Sequence, residues 1–437
     1  MMTVIETIAA WCARKPTFSQ AARQRACEAI IDTLACLYAG HNDFSSRAVR
    51  QAWAAYQPQP AAVCALINGT AAHAIDYDDN FAPGMSHASA VLVPALLAVA
   101  LAEKRGGGDL VDAYLIGLQA QAFVGSVVSA SHYTAGWHGT STVGCIGTAA
   151  GVAWLKGLDE QGIARTLSIA VSLAGGVKGQ FGTPLKPFHA GMAARNAVDA
   201  AELAAAGMSG RLDIIEGDQG FYQLFAGKRF QPADIERWLA PSRHVIESVG
   251  VLPKKHPCCG STHRILDAIS DLQALHAFSA DDVVKVEAKV GIANRRNLAY
   301  PLPENEMQAR FSMSYCVSVL LEKGALSVAD FTPQQVVRQS AADKLNRVSM
   351  TSWSEAEEEA NDNLPHIVTI TLKDGRKLNA QRLTAKGDIS DPFSAADRQR
   401  KFADCCAGLA DADALYQRLT RIEQESSLAF LRVMLME

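Results

Sequence analysis

A chain of 437 residues with a net charge of −4 and only 20% charged residues gives no electrostatic reason to bind nucleic acid or an anionic membrane surface. Hydrophobic residues make up 49% and aromatics only 7%, with alanine and glycine heavily used, so closely packed helices and two domains are expected rather than one ordinary core. The ten cysteines are scattered apart from the pairs Cys258-Cys259 and Cys405-Cys406, so no disulfide framework is readable and a reduced, cytoplasmic setting is expected.

Residues Met1 to Thr7 lack the basic and apolar segments of a signal peptide. The longest apolar stretch, Ala88 to Ala102, contains Ser89 and Pro94 and is too short for a bilayer span, so a soluble protein with no membrane partner is expected. Up to about residue 250 the pattern is helical. Ser19 opens a run to about Tyr38 with Ala26, Ile30, Leu34 and Leu37 at helical spacing. Further helices are expected at about 87–104, 109–130, 140–156, 160–174 and 189–206, several of them apolar all round and therefore central. After residue 250 the period changes. Val283–Val290 alternates like a half-buried strand, and His366–Leu372 enters a hairpin through Asp374-Gly375 with a return over Lys377–Leu383. Helical patterns resume at 309–322, at 331–343 and from 395 to the end. The predicted fold is mainly α: a large helical domain (1–250 and 391–437) plus a smaller α+β lid domain (251–390).

The stretch from His73 to His87 carries two histidines and three carboxylates, Asp76, Asp78 and Asp79, between two apolar runs. Acid and base groups this dense are costly to desolvate and seldom serve packing alone, so a proton-transfer site is the first hypothesis. A calcium loop starting at Asp76 would need Gly at its sixth position and Glu at its twelfth, where Phe81 and His87 stand. No zinc spacing occurs either, although His73, Asp78 and His87 remain a metal alternative. The aspartates could also simply cap helices.

Three further polar clusters accompany it. His138, in Gly136-Trp137-His138-Gly139, precedes an apolar helix, where a nearby dipole would keep it neutral and an anion would be welcome. Lys186 and His189 lie in a Pro/Gly loop ahead of another helix. Lys254 to His263 spans the expected domain junction, a favoured place for small-molecule sites. Vicinal cysteines beside Pro257 suit no nucleophilic triad. Tyr315, opening a helix after Phe311-Ser312, is an acid candidate or a core aromatic.

Taken in order, these segments resemble the MmgE/PrpD family over nearly the whole chain. The resemblance rests on Asn68-Gly69-Thr70-Ala71-Ala72-His73 with Asp76-Tyr77-Asp78-Asp79, on Ser86-His87-Ala88-Ser89, and on Gly136-Trp137-His138. It continues through Thr183-Pro184-Leu185-Lys186-Pro187 with His189-Ala190-Gly191, Glu216 to Phe221, Pro257-Cys258-Cys259, Phe311-Ser312 with Tyr315, and Lys401 to Cys405. It implies a homodimer with a cleft between a helical and an α/β domain, and no metal or organic cofactor. The family's site residues fall on Asp78, His87, His138, Lys186, Lys254 and Tyr315; Asp78, His87, His138 and Tyr315 are the catalytic candidates, and Lys186 and Lys254, with His263 from the junction cluster, the substrate-binding ones. The implied chemistry is removal of a proton next to a carboxylate. That describes a lyase on a hydroxylated di- or tricarboxylate, like 2-methylcitrate dehydratase, or alternatively an epimerase of an iminodisuccinate-like dicarboxylate. The family's cis-aconitate decarboxylases carry a histidine five residues after the lysine matched by Lys254; Cys259 stands there in this chain, which speaks against decarboxylation. A metal-dependent hydrolase and a non-catalytic binding protein are the readings from other classes.

Overall fold

The computed structural model describes residues 2–226, 243–340, 343–361 and 363–435. Helical expectations that fall on 227–242, 341–342 and 436–437 lie outside the described residues.

Helices of eight residues or more are numbered in chain order. The first nine are α1 (Val4–Ala13), α2 (Gln20–Gly40), α3 (Phe44–Trp53), α4 (Ala61–Ala74), α5 (Ala88–Ala102), α6 (Gly107–Thr134), α7 (Val143–Leu155), α8 (Glu160–Leu173) and α9 (Leu185–Ala205). Their starts follow from side chains that satisfy the free N–H groups of a first turn: Thr3 and Glu6 form a capping box on α1, Ser19 accepts from Ala22 N, and Asp159 accepts from Gly162 N. With α13 (Ala395–Cys405) and α14 (Ala412–Leu419) they enclose one core, running from Val4 to Ile246 and from Phe402 to Met434. Within α6, Gly107–Val128 is long and apolar enough to cross a membrane, but 89% of that window is buried among the other helices.

The deepest contact of this domain is between α4 and α9, which touch through glycines. A Cβ on Gly69 would come within 2.9 Å of the Gly191 Cα, so only glycine lets the two backbones approach this closely. The contact holds the end of α4 against the start of α9, where His73 and Lys186 emerge.

The smaller core runs from Cys258 to Leu378. Its sheet has the order β2-β1-β3-β4, with β1 (Val283–Val290), β2 (Val348–Ser352), β3 (His366–Leu372) and β4 (Lys377–Arg382). The β3–β4 hairpin pairs Val368 with Ala380 and turns at Gly375, as expected, and β1 lies antiparallel to β3. Helices α10 (Gly260–Leu275), α11 (Met313–Lys323) and α12 (Pro333–Ser340) complete this part. The fold is mainly α with a smaller α+β part.

Three expectations change. β2 went unread because Val348-Ser-Met-Thr-Ser352 has one apolar face only half buried; it pairs parallel to β1, with Val286 opposite Val348. The helix expected from 395 to the end breaks at Cys406 and again after Leu419, giving way to 3-10 turns. Helix α9 begins at Leu185, a turn early, because Pro187 fits a first turn whose N–H groups need no helical partner. Lys186 and His189 therefore stand on a rigid helix, not in a loop.

Candidate active site

The site is built around the segment joining α4 to α5. After Ile75, Asp76 takes a left-handed backbone conformation (φ 54°), which aspartate tolerates better than most residues but which still costs energy. The segment is then held from outside the helical core. Asn80 and Leu252 exchange both backbone hydrogen bonds at 2.8 Å, and the Tyr77 hydroxyl donates to the Lys255 carbonyl at 3.1 Å.

The turn presents the Asp76 carboxylate to two lysines. Lys186 Nζ hydrogen-bonds Oδ1, while Lys254 Nζ lies 3.1 Å from Oδ2 and donates to the Asp76 carbonyl at 2.9 Å. All three groups are buried. Burial alone would raise the Asp76 pKa, but Lys186 and Lys254 outweigh it and hold the carboxyl well below its ordinary value. Burial likewise opposes the charge on Lys254, and Asp76 and Asp78 overcome it, so that lysine stays protonated. The Lys186 ammonium also sits 5.4 and 5.2 Å from the ring centres of Phe181 and Phe311. One aspartate thus serves two lysines directly, with the ionised Asp78 acting on Lys254 from the layer behind.

Histidines form the adjoining wall. The ring centres of His73 and His87 are 4.5 Å apart, and those of His73 and His138 are 5.8 Å apart. Asp78 lies behind them, its Oδ2 2.7 Å from His73 Nδ1 and 3.4 Å from His87 Nδ1. His87 Nδ1 is also 2.8 Å from the Asp79 carbonyl, which can only accept, so the Nδ1 proton donates there and Nε2 keeps its lone pair. Burial, with Lys254 and His73 nearby, holds the His87 pKa well below the usual imidazole range despite Asp78. His138 is held well below it too, by burial and by His73 and Lys186. Its Nδ1 meets His189 Nδ1 at 3.1 Å, and its buried Nε2 has no hydrogen-bond partner. Asp78 stays ionised because His73 and His87 more than offset its burial. Asp79 is pushed up to about 7 by burial, although Ser89 hydrogen-bonds it at the first turn of α5.

These groups face a cavity of about 550 Å³ between the two cores, a size suited to a small organic ligand. Asp76, His87, His138, Lys186 and Lys254 line it together, and Cys259, Ser261, Arg264, Asn294 and Asn297 line the rest. Burial and the nearby Asp76 raise the Cys259 thiol above its usual pKa, so it presents a neutral sulfur.

The expected residues therefore divide. His87, His138, Lys186 and Lys254 meet in the cavity, and of the adjacent lysines it is Lys254 that enters while Lys255 turns to Asp267. Asp78 stands one layer back and touches the histidines; Asp76 holds the place in the cavity expected for it, because the left-handed turn rotates the backbone between them. Tyr315 is not in the cavity. Its hydroxyl donates to the Asp330 carbonyl inside the smaller core, and burial raises its pKa further out of range for an acid. Nor is His263, whose Nε2 faces the Cys258 carbonyl at 3.2 Å within the first turn of α10. His138 also does not head a helix: α7 begins only at Val143, and the turn between is closed by Ser141 N and Thr142 N donating to the His138 carbonyl. Sequence reasoning gave no role to Arg264, Asn294 or Asn297; only Arg264 adjoins the junction cluster in sequence, and the two asparagines carried no signal. Among the described residues, His73, Asp78 and His87 are the one group compact enough for a metal, with ligand atoms within 4.8 Å of one another.

A chain folded in two such parts around a buried lysine–aspartate–histidine cleft belongs to the MmgE/PrpD family of enzymes. Residues 6–233 match the MmgE/PrpD N-terminal domain and residues 256–425 the MmgE/PrpD C-terminal domain. Among curated relatives, the chain is 29% identical over 409 residues to the cis-aconitate decarboxylase of Homo sapiens, covering 87% of this chain and 82% of that one. It is 28% identical over 388 residues to the cis-aconitate decarboxylase of Mus musculus, covering 84% and 76%. The cis-aconitate decarboxylase of Aspergillus terreus is 23% identical over 388 residues, covering 81% and 79%.

Proposed function

We propose that the chain is a lyase that removes a proton next to a carboxylate of a hydroxylated di- or tricarboxylate, without an organic cofactor. The observation that carries this is the convergence of two ammonium groups, Lys186 and Lys254, on the single carboxylate of Asp76 at the cavity wall, set beside a neutral imidazole whose tautomer is fixed. A substrate carboxylate is drawn to these ammonium groups. When its α-carbon loses a proton, negative charge grows on the carboxylate oxygens, where the preorganised ammonium groups stabilise it most. His87 Nε2 is the base. The electron pair left behind forms an enediolate, whose collapse breaks the bond to the β-hydroxyl. The His87 imidazolium gives that proton to the departing oxygen, which leaves as water, while His138, held neutral, lines the cavity beside it. His87 is thereby neutral again, and the balance is substrate to alkene plus water. Asp78 positions both His73 and His87 and steadies the imidazolium that forms.

Decarboxylation is the second reading, favoured by the names of the relatives. Against it stands the thiol of Cys259 on the cavity wall, where the resemblance places a histidine in the decarboxylases. The test is incubation with 2-methylcitrate, citrate, cis-aconitate and iminodisuccinate in deuterated water, followed by NMR. An alkene with loss of water supports the lyase; carbon dioxide release supports the second reading; deuterium entry with no net loss points to epimerisation. No exchange and no turnover with any of the four defeats the substrate class. Chelation tests the metal alternative at His73, Asp78 and His87: turnover is expected unchanged, and loss restored by added zinc would replace this mechanism with a metal-assisted one.

A further inference from the structure

Of the cations that line the cavity, Lys186 and Lys254 share Asp76, and the third is Arg264. Arg264 lies in α10, one turn after Cys259, Gly260 and Ser261, which line the same cavity. Its Nη1 donates to the carbonyls of Leu364 and Leu383 at 3.2 and 3.1 Å, and no carboxylate among the described residues is within ion-pair distance of it. The lining's acidic residues are Asp76, held by the two lysines, and Asp388, which is occupied by the Ser390 amide and hydroxyl at 2.9 and 2.6 Å. Burial without any compensating anion pushes the Arg264 pKa down. Arginines so placed across a structure normally find a carboxylate; the two carbonyls fix this one's orientation and leave the rest of its planar fork free. The neighbouring lining groups Asn294 and Asn297 both donate to the Ser261 hydroxyl, so they are already committed and leave the guanidinium as the charged group on that side.

We propose that Arg264 is a specificity residue that binds a second carboxylate of the substrate, remote from the reacting one. The substrate is then a dicarboxylate held at two poles, one at the lysine pair and one at Arg264, with uncharged atoms opposite Cys259. This rests on the function proposed above only for the reacting end; recognition of the remote carboxylate stands on the cavity.

Binding of succinate and of its mono-amide, succinamate, to the full-length protein and to Arg264→Ala, measured by calorimetry, tests it. Wild type is expected to bind succinate roughly tenfold or more tighter than succinamate, and Arg264→Ala to erase that difference while leaving succinamate binding unchanged. Arg264→Lys should restore part of it. In turnover, KM for the dicarboxylate rises by a similar factor while kcat changes little. Equal affinity of wild type for the two probes, or an undiminished preference in Arg264→Ala, overturns the proposal. Absence of deuterium exchange with intact succinate preference would sink the proposed reaction but not the role of Arg264. An Arg264→Ala protein with altered thermal unfolding is replaced by Arg264→Gln, which keeps a polar N–H donor there without the charge.

Discussion

Two buried lysine–aspartate arrays stand back to back across the turn at residues 76–79. Behind it, Lys401 Nζ lies 2.7 and 2.8 Å from the two oxygens of Asp32 and donates to the Tyr77 carbonyl at 2.7 Å. One cation meets one anion, and the remaining donor meets backbone. In front, Asp76 is divided between Lys186 and Lys254, so two cations share one direct partner. The chemistry is the same and the stoichiometry differs. The one-to-one pair fastens the turn to α13, whereas the shared carboxylate leaves both ammonium groups with donors to spare for a substrate. Breaking a buried pair is expensive, while removing one of two cations from a shared carboxylate leaves it paired.

That contrast orders the predictions. Lys186→Met should lower kcat/KM about a thousandfold, roughly 4 kcal/mol of transition-state stabilisation, with little change in thermal midpoint, since Asp76 keeps Lys254. A large fall in melting temperature with activity retained would reverse the two roles. Lys401→Met should do the opposite, costing about 3–5 kcal/mol of stability by stranding Asp32, as read from denaturant unfolding, while the folded fraction keeps turnover within about tenfold. Acid should come next. Burial pushes His132, His189 and His244 down to about 4 and holds His87 and His138 well below the usual range. The unfolded chain takes up protons below about 6.5 that the folded one refuses, so stability is intact above that pH and is lost as pH falls toward 4. The melting temperature should drop across that window, and the acidic limb of kcat should lie below the ordinary histidine value. A limb at or above 6.5 would remove His87 as base. The smallest effect is expected from Tyr315→Phe: about 1 kcal/mol of stability for the lost bond to Asp330 and unchanged kcat. A strong loss of kcat there would bring the tyrosine back into the chemistry.

Much of this was legible before any coordinates. Helical periodicity marked the bundle because its members are long and apolar, and the Asp374-Gly375 turn marked the hairpin. His87 stood out in the dense His/Asp segment, His138 before an apolar helix and Lys186 between fixed prolines, whereas Lys254 came from the family resemblance. The choice among Asp76, Asp78 and Asp79 was not legible. It depends on one left-handed residue, and aspartate is permitted there without being required. Tyr315 and His263 were chosen by motif, but motif spacing does not say which way a helix faces; both point into the smaller core. Arg264 carried no pattern at all, because what distinguishes it is a partner it lacks.

The glycine contact between α4 and α9 has a consequence for tolerance. His73 lies four residues beyond Gly69 and Lys186 five before Gly191, so the gap across which both reach the cleft is set about 6 to 8 Å away by backbone resting on backbone. No flexible side chain lies between the two to absorb an error. The pair acts as a machinist's gauge block: adding a single methyl group there would widen the jaws that set His73 and Lys186 at working distance, although neither glycine lines the cavity.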